Sequence, residues 1–280
     1  MAYQTTNTRC LIRAAKNLGL TVRTLDQNSN FVSIEKSGKR LFFVNYSTPF
    51  DDPAAVKICK DKEFAHFLLE KKIRMPMAKG YFDPLYSEAS EIHGGAGSYA
   101  SIAGNIMKEF TLPLIIKPNS RSRGRNVCLC SEGRHVYDAI EKIFDHDSEY
   151  YDYVALVEDY VAPHREFRVI VFKQKILLVY EKNIAEAKFI GNLSPLHWDG
   201  ARAVVVKDEA VLQRLGEFIA PIFNELKLDF TGLDVILGRD NKFYLIELNT
   251  SIGFAHFVKD NGDEPIVDLY RTILSEAFNL

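Results

Sequence analysis

Gly232-Leu233-Asp234-Val235-Ile236, then Tyr244-Leu245-Ile246-Glu247-Leu248-Asn249 with the turn Thr250-Ser251-Ile252-Gly253, is the stretch on which the chain's identity turns. Asp234 and Glu247 each stand inside an otherwise apolar strand pattern. A carboxylate buried there without a partner is costly, so two in neighbouring strands ask for a common one. Residues 238–242 read as a tight turn, which makes 231–237 and 243–248 a hairpin. Glu247 and Asn249 are two apart and so share one face of a strand. Asp234, Glu247 and Asn249 together offer three oxygen donors. That set suits a hard cation, Mg2+ or alternatively Mn2+, and lacks the His and Cys ligands of zinc. Taken singly, Asp234 reads as a strand-end residue and Glu247 as the partner of a lysine; the full set with its turn reverses that weighting.

Outward from this hairpin, composition sets the class. The chain has 280 residues, 47% hydrophobic and 26% charged, the balance of a soluble globular enzyme. A net charge of −2 gives no positive field for nucleic acid or an anionic membrane. No apolar run approaches the roughly 20 residues that span a bilayer, and MAYQTTNTRC has neither the cationic start nor the apolar core of a secretory signal. Cys10, Cys59, Cys128 and Cys130 match no zinc spacing and read as reduced thiols of a cytoplasmic protein.

Periodicity predicts helices over 8–18, 54–60, 62–71, 98–110, 135–144, 210–226 and 265–278. It predicts strands over 21–25, 31–35, 40–46, 114–117, 127–130 and 154–157, and a hairpin of 167–172 with 175–180. Residues 83–97 read as a loop. Hairpins mixed with helices indicate an α+β fold, not a doubly wound parallel sheet. Three regions are expected: a small segment 1–50, a central lobe 51–153 and a C-terminal lobe 154–280.

Further motifs carry chemistry. Lys117 ends the apolar run Leu114-Ile115-Ile116, where a strand end aims a point charge into a cleft. The loop that follows carries Arg121, Arg123 and Arg125 and could cover phosphate; alone, such a loop is more often merely solvated. It is not a Walker A loop, lacking both GxxxxGK[ST] and a following helix. In Glu158-Asp159-Tyr160-Val161, main chain beside apolar side chains could meet an adenine edge. Glu166 and Arg168 share a strand face, Glu166 for ribose and Arg168 for phosphate or a carboxylate, with a solvent-side ion pair as the even alternative.

In this order the motifs resemble those of the ATP-grasp carboxylate–amine ligases. Among these, the ATP-grasp region of cyanophycin synthetase, the ribosomal-protein glutamate ligases and glutathione synthetase are nearest in look. Asp61-Lys62 with EFAHFLLEKKIRMP resembles "DK…LL…GIPVP", LIIKP the second lysine element, VEDYV the adenine hinge and EFRV the ribose strand. GLDVI and IELNTSIG resemble the magnesium strands. The first domain is abbreviated, and the phosphate loop is richer in arginine and poorer in glycine than the pattern.

The resemblance implies two α+β lobes clasping ATP, with Mg2+ at Asp234, Glu247 and Asn249. It places Lys62, Lys117 and Arg123 on phosphate, Glu158, Asp159, Tyr160 and Val161 on adenine, and Glu166 on ribose. Arg168 and Asn192 become the catalytic pair. Asn192 lies in GNLSPLHWDGA, which resembles "RSNLHRGG", and is assigned to γ-phosphate or metal. His197 and Arg202 approach the substrate, with a structural role for His197 the equal alternative. The implied reaction joins a carboxylate, of an amino acid or peptide, to an amine through an acylphosphate. Many relatives are homodimers; nucleic acid and membrane are not expected partners. A phosphotransferase that forms no amide, or a nucleotide-binding subunit without catalysis, would share the nucleotide site.

Overall fold

The computed structural model describes residues 3–86, 97–122 and 124–280. Arg123 and most of the expected 83–97 loop lie outside the described residues. Among the described residues the strands form three sheets, all of antiparallel neighbours. The α+β expectation holds.

The chain opens with helix α1 (Thr6–Asn17), whose first turn is capped by Thr5 accepting from the Thr8 N–H. Strands β1 (Thr21–Thr24), β2 (Phe31–Lys36) and β3 (Lys39–Val44) follow in sequential order. This small sheet has no core of its own. Val32, Ile34 and Phe43 join Cys10 and Leu11 in the cluster that holds Phe172 and Phe230 of the C-terminal lobe.

Helices α2 (Pro53–Lys60) and α3 (Lys62–Leu69) are capped by Asp52 and Asp61. The central sheet runs β4-β7-β5-β6, built from β4 (Ala78–Phe82), β5 (Leu114–Pro118), β6 (Cys128–Cys130) and β7 (Val154–Asp159). Helices α4 (Tyr99–Glu109) and α5 (Gly133–Ile143) pack on it through Ile106, Val136 and Ile140.

The largest sheet contains β8 (Pro163–Phe172), β9 (Lys175–Asn183), β10 (Arg202–Val205), β11 (Phe230–Gly238) and β12 (Phe243–Asn249), in the order β10-β9-β8-β11-β12. One face meets α6 (Glu209–Ile219) and α7 (Ile222–Glu225), together with α2 and α3, through Val169, Leu233 and Val235. The other meets α1, α8 (Ala255–Asn261) and α9 (Glu264–Phe278). Each fully buried Val, Leu or Phe contributes about 1.5–3 kcal/mol, so this doubly covered sheet is the rigid platform of the molecule. No helix among the described residues is long and apolar enough to cross a membrane.

Several boundaries differ from expectation. The 153/154 division falls before β7, yet β7 is hydrogen-bonded to β4 and β5 in the central sheet. Helices α2 and α3, expected in the central lobe, put Ala55, Cys59 and Leu69 into the core of the C-terminal sheet. The expected helix 210–226 breaks between α6 and α7 at Pro221, whose ring nitrogen cannot donate an intrahelical bond. Strand β4, which carries Gly80, four-residue β10 and seven-residue α8 give too little periodicity to be read in advance.

One irregularity decides the site. Asp234 pairs with Glu247, but Val235 pairs with Leu245, so Ile246 is an extra residue in β12. Phe243 and Leu245 point into the core, as does Leu248. The bulge resets the alternation, and Glu247 and Asn249 turn with Asp234 to the cleft.

Candidate active site

A cleft of about 1300 Å³ lies between the central lobe and the open end of the C-terminal sheet. Arg168 on β8 pairs in register with Asp234 on β11, and Asp234 with Glu247 on β12. The three side chains therefore form a row across three strands. Arg168 grips Asp234 with both arms of its fork, Nε to Oδ1 at 2.5 Å and Nη2 to Oδ2 at 2.8 Å. Its stem passes over Gly232, where an added methyl would lie 3.3 Å from Arg168 Cδ and 3.2 Å from Ile252 Cγ1. That close approach favours glycine at 232.

Lys182 on β9 completes the network. Its Nζ lies 2.5 Å from Glu166 Oε1 and 3.0 Å from Asp234 Oδ1. Burial, the largest influence on each group, opposes ionisation. The neighbouring acids together nonetheless outweigh it, Asp234 foremost for Arg168 and Asp234 with Glu166 for Lys182, and raise both above their usual values. In turn the two cations hold the Asp234 carboxyl below the usual carboxylate range. Asp234 and its two cations thus form a pre-set charged patch on the sheet. Lys182 was not singled out in the sequence. Its signal was a lysine two residues after Tyr180, on the same face of a strand whose other residues are largely apolar.

The opposite wall comes from the central lobe and α3. Lys117, at the end of β5, pairs with Glu158 Oε1 at 2.7 Å, and both are buried. Lys62, the first residue of α3, donates to the carbonyls of Asn119 at 3.0 Å and Arg121 at 2.6 Å. It also stands 3.8 Å from Glu247 Oε1, bridging the two walls. Burial pulls the Lys62 pKa down and Glu247 offsets only part of that. Glu158 and Asp159 lie within the β5–β7 ladder, and Tyr160 and Val161 follow beyond its end and line the cleft.

The loop after Lys117 is tied down. Ser120 donates through N and Oγ to Asp152 Oδ2 at 2.8 and 2.7 Å, and Arg121 donates to the Tyr151 carbonyl. The Arg125 guanidinium lies over the Tyr150 ring at 4.4 Å. These two arginines, expected over phosphate, line the cleft while bracing the loop. Asp152→Ala would strand the Ser120 donors, and a loss of about 1–3 kcal/mol is expected in urea unfolding, with weaker ATP binding.

Asn192 does not line the cleft. Its Oδ1 accepts from the Ser194 N–H at 2.8 Å, and its carbonyl accepts from Trp198 Nε1 at 2.6 Å. It shapes the turn that leads to Trp198 and abuts Gly124, whose φ of +66° and lack of a methyl allow the contact. Another residue the sequence did not flag is buried Asn7. It donates to the Ile252 carbonyl at 2.7 Å and accepts from the Phe254 N–H at 3.2 Å, clamping the turn just after Asn249.

Among the described residues no three His, Cys, Asp or Glu side chains converge as metal ligands. The candidate set is therefore two carboxylates with one amide, Asp234, Glu247 and Asn249. Asn249 Nδ2 is buried and has no hydrogen-bond partner. Turning the amide over offers Oδ1 instead, so these residues fit a hard, oxygen-seeking cation such as Mg2+.

Comparison with known proteins bears on the fold and the family. The glutathione biosynthesis bifunctional protein GshAB of Desulfotalea psychrophila is 25% identical over 176 residues, which span 61% of this chain and 20% of that protein. The crystal structure of a bifunctional glutathione synthetase from Pasteurella multocida matches with a TM-score of 0.54 at 14% identity, covering 96% of this chain and 44% of that one. D-alanine–D-alanine ligase from Bacillus anthracis matches with a TM-score of 0.54 at 16% identity, covering 81% and 72%. These structures share the fold. The RimK-like ATP-grasp domain matches residues 93–273, more than half of the sequence, and the chain belongs to that family.

Proposed function

We propose that the chain is an ATP- and Mg2+-dependent ligase that joins a carboxylate to an amine through an acylphosphate. The observation that supports this most is the row Arg168–Asp234–Glu247 facing Lys62 and Lys117 across one cleft. In the reaction a substrate carboxylate oxygen attacks the γ-phosphorus of ATP and the bond to the ADP oxygen breaks. The amine then attacks the acyl carbon, phosphate leaves with the bonding pair, and the amine loses a proton.

The residues divide the work. Bound Mg2+ would neutralise phosphate charge at Asp234, Glu247 and Asn249. Lys62 and Lys117 hold the phosphates as point charges. Arg168, fixed by Asp234, meets charge growing on the transferred group and on the acyl oxygen. Glu166, oriented by Lys182, accepts from ribose, and Tyr160 and Val161 offer main chain to adenine. The lid about Asn192, seated on Gly124, keeps water from the acylphosphate.

Purified protein supplied with ATP, Mg2+ and pooled amino acids and peptides should release ADP only when a carboxylate and an amine are both present. ADP release without any amine would instead identify a phosphotransferase. Lys117→Ala should weaken ATP binding in calorimetry by about tenfold or more, the loss of one charge-assisted contact. Unchanged affinity would remove Lys117 from the phosphate site.

A further inference from the structure

On the ligase reading above, we propose that the substrate end of the cleft accepts a neutral aromatic or branched apolar side chain and rejects an acidic one. Beyond Asn249 the wall consists of the turn through Gly253, the helix start at His256, Tyr46 of the N-terminal segment, and the lid residues Leu196, His197 and Trp198. Tyr46 packs on the bare backbone of Gly253, its Cε1 3.8 Å from where a methyl would stand. The His197 and His256 rings meet edge to face, with centroids 4.8 Å apart at 74°. Trp198 is propped by Phe189 at 5.2 Å and 75°, and its indole N–H is spent on Asn192. It therefore presents ring surface, not a polar handle. Such walls favour a ring or branched apolar group by packing and by offset or edge-on stacking.

Charge points the same way. Among the described lining residues every lysine and arginine belongs to the nucleotide side or to the Asp234 network. Arg168 and Lys182 are engaged by Asp234 and Glu166, so they can meet the reacting carboxylate but not a second one farther out. The adjoining side pocket shares His197, Trp198 and His256 and adds Asp199, Asp260 and Lys259, a net negative set. Burial lowers the His256 pKa, so it stands there as neutral imidazole near pH 7. An acidic side chain would lose hydration against the aromatic rings and meet the exposed carboxylates Asp199 and Asp260, with Lys259 the one lysine of that set.

Trp198 is the chain's single tryptophan, so its emission reads this wall directly. The full chain is loaded with Mg2+ and a non-hydrolysable ATP analogue, and analogue binding is measured separately by calorimetry. Phenylalanine, leucine and their glycyl dipeptides are titrated against glutamate, aspartate and theirs. The apolar set should shift Trp198 emission saturably, with Kd lower than the acidic set by about tenfold or more. Tyr46→Ala should raise the Kd for the phenylalanine ligand by about tenfold while the analogue still binds. Equal or tighter binding of the acidic set, or no response to any ligand with the analogue bound, would overturn the inference alone. Failure of Mg2+ and analogue to bind would overturn the ligase reading and the inference with it.

Discussion

Asp234→Ala should destabilise the folded chain by about 3–5 kcal/mol, visible as a lower midpoint in urea unfolding, before it says anything about catalysis. The carboxylate is buried and holds two buried cations, Arg168 and Lys182. Removing it leaves both without their main counter-charge, and Glu166 can answer only Lys182. A substitution conceived as a clean test of a metal ligand is thus a test of the fold. Asp234→Asn keeps the shape and two acceptor lone pairs and should cost less. The sign of the pH dependence follows from the lowered carboxyl. Its contribution is fully present above the unfolded value of roughly 3.9 and is lost as the pH falls through the lower folded value. A midpoint unchanged in Asp234→Ala would mean that the network is not formed in solution.

Glu247→Gln should abolish most turnover with the fold intact. Glu247 is partly exposed, and its one ion pair among the described residues, to Lys62, is long at 3.8 Å. Stability should change by no more than about 1 kcal/mol, the range of a weak exposed pair. Loss of one charged ligand should lower kcat by roughly a hundredfold to a thousandfold, the scale of losing one aimed electrostatic partner. ADP release by the variant, at saturating ATP and across a Mg2+ titration, measures it. Wild-type turnover would remove Glu247 from the metal site. The contrast between the two variants is informative because both acids lie in one cross-strand pair, yet only one is held in a buried network.

Much of the architecture was legible in the sequence because it rests on local patterns. The helical period over 8–18 found α1, and the strand patterns at 31–35 and 40–46 found β2 and β3. Glu166 and Arg168, at strand spacing, do share the cleft face with Asp234. Asn192 was placed by likeness of its surrounding stretch; its side chain accepts from the Ser194 N–H within its own turn, and its neighbours Gly191, Leu193 and Ser194 line the cleft. No local rule could separate those two roles, since an asparagine that caps its own turn and one that faces phosphate look alike in sequence. Lys182 was overlooked for the complementary reason: its partners, Glu166 and Asp234, are 16 and 52 residues away in the chain.

By itself the sequence determined that Asp234, Glu247 and Asn249 belong together. Polar groups inside apolar strands must be satisfied, and the short turn at 238–242 leaves the two strands little choice but to pair. Only the tertiary structure decided which way Glu247 faces. Phe243 and Leu245 are buried, and a strict two-residue period would carry Glu247 into the same core. The extra residue Ile246 reverses that alternation, which happens because β11 and β12 pair in a register no single strand specifies. Tertiary packing likewise gave Asp234 its two cations from separate strands and brought Asn7, far away in the chain, to hold the turn beyond Asn249. Such long-range pairings are energetic consequences of closing the sheet, and they exist only once it is closed.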